Sequence, residues 1–331
     1  MVSYETVDEK RTINKVDFEK LCDRLIRYAH SFGIIVDPKS IRLLLAAMAS
    51  SQLIVVSSPA KDLVVPFLDI VGKFFGDESF IFDTSLGSDE HSILWNLNEA
   101  TGIYEQTDVS KVITKAFAIK KTMHTCTLTN VKYDLFKESF SKVIAWANNP
   151  ASTVKIKINE NQIYSLGKNL WFFICSDEQL PLDIAKCVMN ISLSLRETTD
   201  VIEFNSQTGI TYPDFVLNLS AAKELYYISE ENWKRIDELY DCINEHEKFV
   251  LGNKQVLQME AFTSCYVSCN ALEDEALDMV FVSKLVPMLK YSKVYNEENG
   301  EVKLVEYINR SFGNEDSLVQ TQKLLKSKIN Y

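Results

Sequence analysis

Residues 15–32 set Val16, Leu21, Leu25, Ala29 and Phe32 among charged neighbours, the spacing of an amphipathic helix. A second helix is expected from Asp37-Pro38, with Asp37 as N-cap and proline in the first helical position, running on through Ser50. Leu53–Ser57 then follows without a polar interruption. Such a short β-branched run fits a strand buried on both faces, the kind found in parallel sheets covered by helices. Ser58-Pro59-Ala60-Lys61-Asp62 reads as a turn, and Leu63–Phe75 returns to helical spacing.

The strand–turn–helix beat then recurs. Phe80–Phe82 is a strand, Lys111–Lys120 a helix and Thr125–Leu128 a strand. A helix follows, with Tyr133, Phe136, Phe140, Val143 and Ala147 on one face. Thr153–Ile158 and Gln162–Tyr164 flank Asn159-Glu160-Asn161 as a hairpin. Leu170–Cys175 is another apolar strand, Pro181–Leu195 is read as a helix, and Val201–Phe204 as the last strand. This alternation predicts an α/β sheet. Beyond about residue 215 only helices are expected: Glu231–Glu247, Lys254–Cys269, Glu273–Lys290 and Ser317–Lys328. The expected division is an N-terminal helical segment (1–36), an α/β domain (37–215) and a helical lid subdomain (216–331).

Composition narrows the function classes. The 331 residues fit two domains at roughly 100–200 residues each. A formal charge of −11 without a strongly basic block disfavours general nucleic-acid affinity, leaving room only for a local basic patch or indirect contact. The longest apolar run, Leu43–Met48, is far short of the ~18–20 residues that span a bilayer, and the N-terminus lacks the pattern of a signal peptide. Seven sparse cysteines fit reduced thiols and a cytoplasmic setting. Cys265 and Cys269 are the one close pair. They have no second ligand pair at zinc spacing and read as buried small side chains.

An apolar strand, a turn and a helix form the frame on which P-loop NTPases cradle phosphate. Across residues 40–290 the chain resembles the McrB-type AAA+ NTPases, the motor subunits of methyl-directed restriction systems. The pattern G-x-x-x-x-G-K-[ST] falls on Ser58-Pro59-Ala60-Lys61-Asp62-Leu63-Val64-Val65. The acids of the Walker B strand fall on Thr129 and Asn130 in Leu128-Thr129-Asn130-Val131-Lys132. Leu94-Trp95 and Thr101-Gly102-Ile103-Tyr104 match a further segment. The sensor strand matches Asn169–Asp177, with the sensor residue at Asp177, or at Ser176 with one gap. Val201-Ile202-Glu203-Phe204 is intact, whereas the family's arginine column lands on Thr198, with Arg196 nearby. A lid sensor falls on Lys254, and Ala276-Leu277-Asp278…Lys284-Leu285-Val286-Pro287-Met288-Leu289 matches the lid helix.

The resemblance implies an AAA+-type parallel sheet with a helical lid and a degenerate nucleotide site at Ser58, Pro59, Lys61, Leu63, Val64, Val65, Thr129, Asn130, Asp177 and Lys254. Leu63 puts a branched side chain where backbone must approach phosphate, and Ser58 does not take positive φ cheaply. Val64 removes the ammonium and Val65 the Mg²⁺ ligand. Charge-assisted bonds are worth roughly 1.5–3 kcal/mol each, so losing several abolishes useful affinity. Thr129 and Asn130 leave no acid to hold the metal's water shell or polarise an attacking water.

These losses lead to the expectation of a pseudo-NTPase without cofactor, metal or catalytic residues, acting as a structural, adaptor or regulatory subunit. Its partner would be a protein, either an active AAA+ relative or itself, and its setting a restriction, phage-defence or DNA-processing complex. Two other readings compete. One is an enzyme with a remodelled pocket built on Asp177, Glu178 or Lys61. The other is a DNA-binding module using Lys155, Lys157 and Lys168. Of the histidines, His91 (in Ser88-Asp89-Glu90-His91) and His124 lack the strand–elbow context of a hydrolase site.

Overall fold

The computed structural model describes residues 17–76, 78–86, 94–98, 103–148, 155–159, 162–176, 180–204, 209–244, 252–289, 293–296, 300–312 and 318–326. Helix α1 (Phe18–Ser31) is capped by Asp17, whose carboxylate accepts the Lys20 N–H at 2.9 Å. Strand β1 (Ile34–Val36) leads to α2 (Pro38–Ser50), with Asp37 as N-cap and Pro38 in the first turn. β2 (Leu53–Ser57) and α3 (Lys61–Gly76) follow, then β3 (Phe80–Asp83) and the hairpin of β4 (Trp95–Asn98) and β5 (Ile103–Gln106). Next come α4 (Asp108–Ala118), β6 (His124–Thr129), α5 (Tyr133–Ser139) and α6 (Ser141–Asn148). A second hairpin, β7 (Lys155–Asn159) with β8 (Gln162–Ser165), precedes β9 (Leu170–Cys175).

The region read as one helix over 181–195 is different. It holds a single turn, α7 (Leu182–Ala185), then β10 (Met189–Ser192) and β11 (Leu195–Glu197). Its period is two: Met189, Ile191, Leu193 and Leu195 are buried, whereas Asn190, Ser192, Ser194 and Arg196 alternate with them. Val201–Phe204 is irregular rather than a strand. β11 instead pairs antiparallel with β1.

Five parallel strands form the central sheet in the order β10-β2-β9-β6-β3. Alternate residues serve two cores. Ile54, Val56, Trp171 and Phe173 pack with α1–α3 and the lid, whereas Leu53, Val55, Phe172 and Ile174 pack with α4–α6. Burial on both faces explains why β2 has no polar residue before its half-buried last position, Ser57, and why β9 is apolar throughout. Gly72 lets α3 approach closely, since a Cβ there would lie 2.7 Å from the Thr125 Oγ1 of β6.

After β11 the regular elements among the described residues are helices: α8 (Tyr212–Leu225), α9 (Glu230–Asn244), α10 (Asn253–Ser268) and α11 (Glu273–Val280). A π-helical turn, Phe281–Leu285, continues into α12 (Val286–Leu289), followed by α13 (Lys293–Asn296), α14 (Gly300–Phe312) and α15 (Val319–Lys326). This all-α lid joins the core shared with α1–α3. Asp278 ties it together, accepting the Gln320 and Thr321 N–H groups of α15 at 2.9 and 2.8 Å. No helix among the described residues is long and apolar enough to cross a membrane.

Candidate nucleotide site

The chain leaves β2 for β3 at one side of the sheet, returns through β6 and β9, and then crosses to β10 beyond β2. The strand order therefore reverses around β2. In open parallel sheets a ligand is expected at the carboxyl end of such a strand. Here that position is the Ser58–Val65 segment.

A phosphate cradle needs a loop whose free amides converge on an anion before the helix begins. The connection from β2 to α3 is only Ser58-Pro59-Ala60, and α3 already starts at Lys61. The sequence pattern set the helix start at Leu63; the earlier start draws Lys61, Asp62, Leu63, Val64 and Val65 into the helix. No residue from 57 to 65 has positive φ. Pro59 offers no N–H, the Ala60 N–H bonds to Ser58 Oγ at 3.1 Å, and the Leu63 N–H bonds to the Ala60 carbonyl at 3.0 Å. Val64 is 5% exposed, and Leu63 packs against the same core. Nucleotide with Mg²⁺, which this fold family implies, does not fit these residues.

Thr129 and Asn130 stand two strands away, at the carboxyl end of β6. Asn130 has φ +53°, a conformation that asparagine tolerates better than most residues. Its Nδ2 donates to Asp83 Oδ2 at 2.9 Å. Thr84 Oγ1 donates to the Thr129 and Asn130 carbonyls, both at 3.0 Å. Asp83 was not singled out from sequence. Its signal was an acid placed directly after the apolar Phe80-Ile81-Phe82. The Ser85 N–H and Oγ occupy its other oxygen at 2.9 and 2.7 Å, and the Ser85 hydroxyl foremost holds the carboxyl below its ordinary range. A carboxylate with both oxygens engaged and a lowered pKa is a poor general base.

Asp177, Glu178, His91 and the Thr101-Gly102 pair lie outside the described residues. Lys61 is exposed in the first turn of α3. Lys254 does not join the other site residues. It sits in the first turn of α10 near Cys187, just before β10 begins, and thus at the amino edge of the sheet. Burial pushes its ammonium down to about 8, opposed by Cys187.

Lys284, matched in sequence only as part of the lid helix, is 1% exposed in the π-helical turn. It donates to the Ala185, Lys186 and Val188 carbonyls at 3.3, 2.9 and 3.0 Å. Burial first, then neighbouring Lys254, pushes its pKa down to about 7, with Cys187 opposing. Its signal was a lone cation inside Phe281-Val282-Ser283-Lys284-Leu285-Val286.

No protein-family model and no curated protein matches the sequence. Among solved structures, a candidate ATPase from Cytophaga hutchinsonii superposes with a TM-score of 0.53 at 13% identity, over 95% of this chain and 95% of that one. The fold is that of the AAA+ ATPases. An MCM homologue from Methanopyrus kandleri aligns at a TM-score of 0.42 and 11% identity, over 80% of this chain and 58% of that longer one. In this fold β2 and α3 are joined by the three-residue turn Ser58-Pro59-Ala60.

Proposed function

We propose that this chain is a catalytically inactive AAA+-type protein, retained for its shape as a structural, adaptor or regulatory subunit. The observation that carries this reading is the three-residue connection between β2 and α3, with the following helix already formed at Lys61. Loss of the catalytic side chains alone would leave a cradle that binds weakly. A closed turn leaves no cradle. The residues at the McrB Walker B positions, Thr129 and Asn130, bond to neighbouring turns and supply no acid. The McrB-type resemblance gives the proposed setting: a cytoplasmic restriction, phage-defence or DNA-processing complex in which the partner is an active relative or a second copy.

Thermal unfolding with and without MgATP or MgGTP tests this reading. A ligand at 100 times its Kd stabilises a protein by about 2.7 kcal/mol, a shift of several degrees. With nucleotide at millimolar concentration no shift is expected, and calorimetry should record no binding heat. A micromolar site would overturn the proposal. Co-purification from the native host then identifies the partner.

A further inference from the structure

The net charge of −11 hides a segregation along the chain. Residues 111–170 hold ten lysines and no arginine against Asp134, Glu138 and Glu160, a net +7, which leaves −18 for the other 271 residues. Part of this positive charge is neutralised in place, since Lys111 pairs with Asp108, Lys115 with Glu78 and Lys137 with Asp183. Lys120, Lys121, Lys155 and Lys168 are exposed and have no carboxylate partner among the described residues.

The fold collects these four. Lys120 and Lys121 lie just before β6, and Lys168 lies just before its parallel neighbour β9, where His124 and Leu170 are in register. Both loops therefore open at the amino edge of the sheet. Asn169 locks them together, its Nδ2 donating to the Ala116, Ile119 and Thr122 carbonyls at 3.2, 3.1 and 2.9 Å. Lys155 opposes Ser165 at the base of the β7–β8 hairpin, where the chain runs into Lys168. Between them stands Phe117, 43% exposed, its ring edge-on to Tyr164 at 5.1 Å and Lys120 Nζ 5.9 Å above its centroid. The side chain of Lys157 lies outside the described ones.

We propose that this amino-edge face binds single-stranded nucleic acid along its phosphate backbone. These four ammonium groups, without a carboxylate partner among the described residues, supply the phosphate contacts, and the net −18 elsewhere steers a polyanion toward this face. An exposed aromatic ring accepts an unstacked base but gains nothing from a duplex, whose bases are already stacked. The face lies at the opposite end of the strands from Ser58–Val65, so it stands whether or not the nucleotide reading does.

Fluorescence anisotropy of a labelled oligothymidylate with the full chain tests this. Each phosphate contact contributes about −0.7 to the slope of log affinity against log salt, so four lysines give about −3. Lys121→Glu with Lys168→Glu is expected to weaken binding at least about tenfold and to flatten the slope by about half. Lys323→Glu with Lys326→Glu, the same charge change on α15, should stay within about threefold. Phe117→Ser should weaken binding by about tenfold without altering the slope. Circular dichroism checks folding, and Lys121→Gln with Lys168→Gln replaces the reversal if that variant unfolds. Absent binding, a slope near zero, equal losses in both double variants, or duplex binding as tight as the single strand would each overturn the proposal.

Discussion

At the amino edge of the central sheet, Asn169 and Lys284 each reach three backbone carbonyls from buried positions. At the carboxyl edge, Ser58, Thr84, Ser85 and Asn130 close the turns through short bonds between adjoining segments, most of them part-exposed. The two edges of one sheet are thus finished differently. An active carboxyl edge would leave its amides unsatisfied until a ligand arrives. Here the bonds at that edge are between short turns and partly open to solvent, and the most buried polar contacts have gathered at the opposite end. Stability and ligand response should therefore separate along the strands.

The largest effect is expected from forcing the carboxyl edge back toward a nucleotide site. Leu63→Gly, Val64→Lys and Val65→Thr together restore the pattern's side chains but bury an ammonium where Val64 is 5% exposed. Urea unfolding should show a loss of about 4 kcal/mol, from lost packing and an unpaired buried charge. Calorimetry should still detect no MgATP binding, because the turn before Lys61 stays closed. Micromolar affinity in the triple variant would mean that side chains alone had silenced the site.

Lys284→Met comes next, since it keeps the volume but strands three carbonyls. Loss of about 3 kcal/mol is expected in urea unfolding. The pH dependence has a definite sign. With a folded pKa near 7 against an ordinary 10.5, the unfolded chain holds the extra proton between those values. Stability contributed by this site should therefore rise with pH from about 7 to about 10.5, and Lys284→Met should flatten that rise. Buried thiols such as Cys126, held above their ordinary range, pull the whole profile down above about pH 9. The difference between wild type and Lys284→Met therefore carries the test, and a difference that does not grow with pH would reverse the assignment.

Much of the sheet was legible in the sequence because the buried stretches Leu53–Val56 of β2 and Leu170–Ile174 of β9 pack on both faces and are wholly apolar. β10 was missed although Met189, Ile191, Leu193 and Leu195 alternate cleanly, because the apolar spacing after Pro181 also fits a helical turn. The replaced residues at 58–65, 129 and 130 were legible as chemistry. The closed turn was not, since the point where α3 starts depends on packing of Val64 and on the Ser58–Ala60 bond. Lys284 and Asn169 were illegible as anchors because their carbonyl partners lie 96–99 and 47–53 residues away.

The smallest effect, and the finest measure of the contrast between edges, comes from trimming one polar side chain at each. Asn169 has two amide hydrogens for three carbonyls and is 3% exposed, so Asn169→Ala leaves buried acceptors without a donor. That should cost about 2 kcal/mol and speed hydrogen exchange at residues 119–124. Ser58→Ala releases a single N–H, that of Ala60, at the mouth of a turn that α3 still closes. Its expected cost is about 1 kcal/mol or less, with exchange faster at Ala60 alone. If Ser58→Ala proved the costlier of the two, the carboxyl edge would be the sheet's stronger seal. Its closed turn would then be the main constraint on the fold.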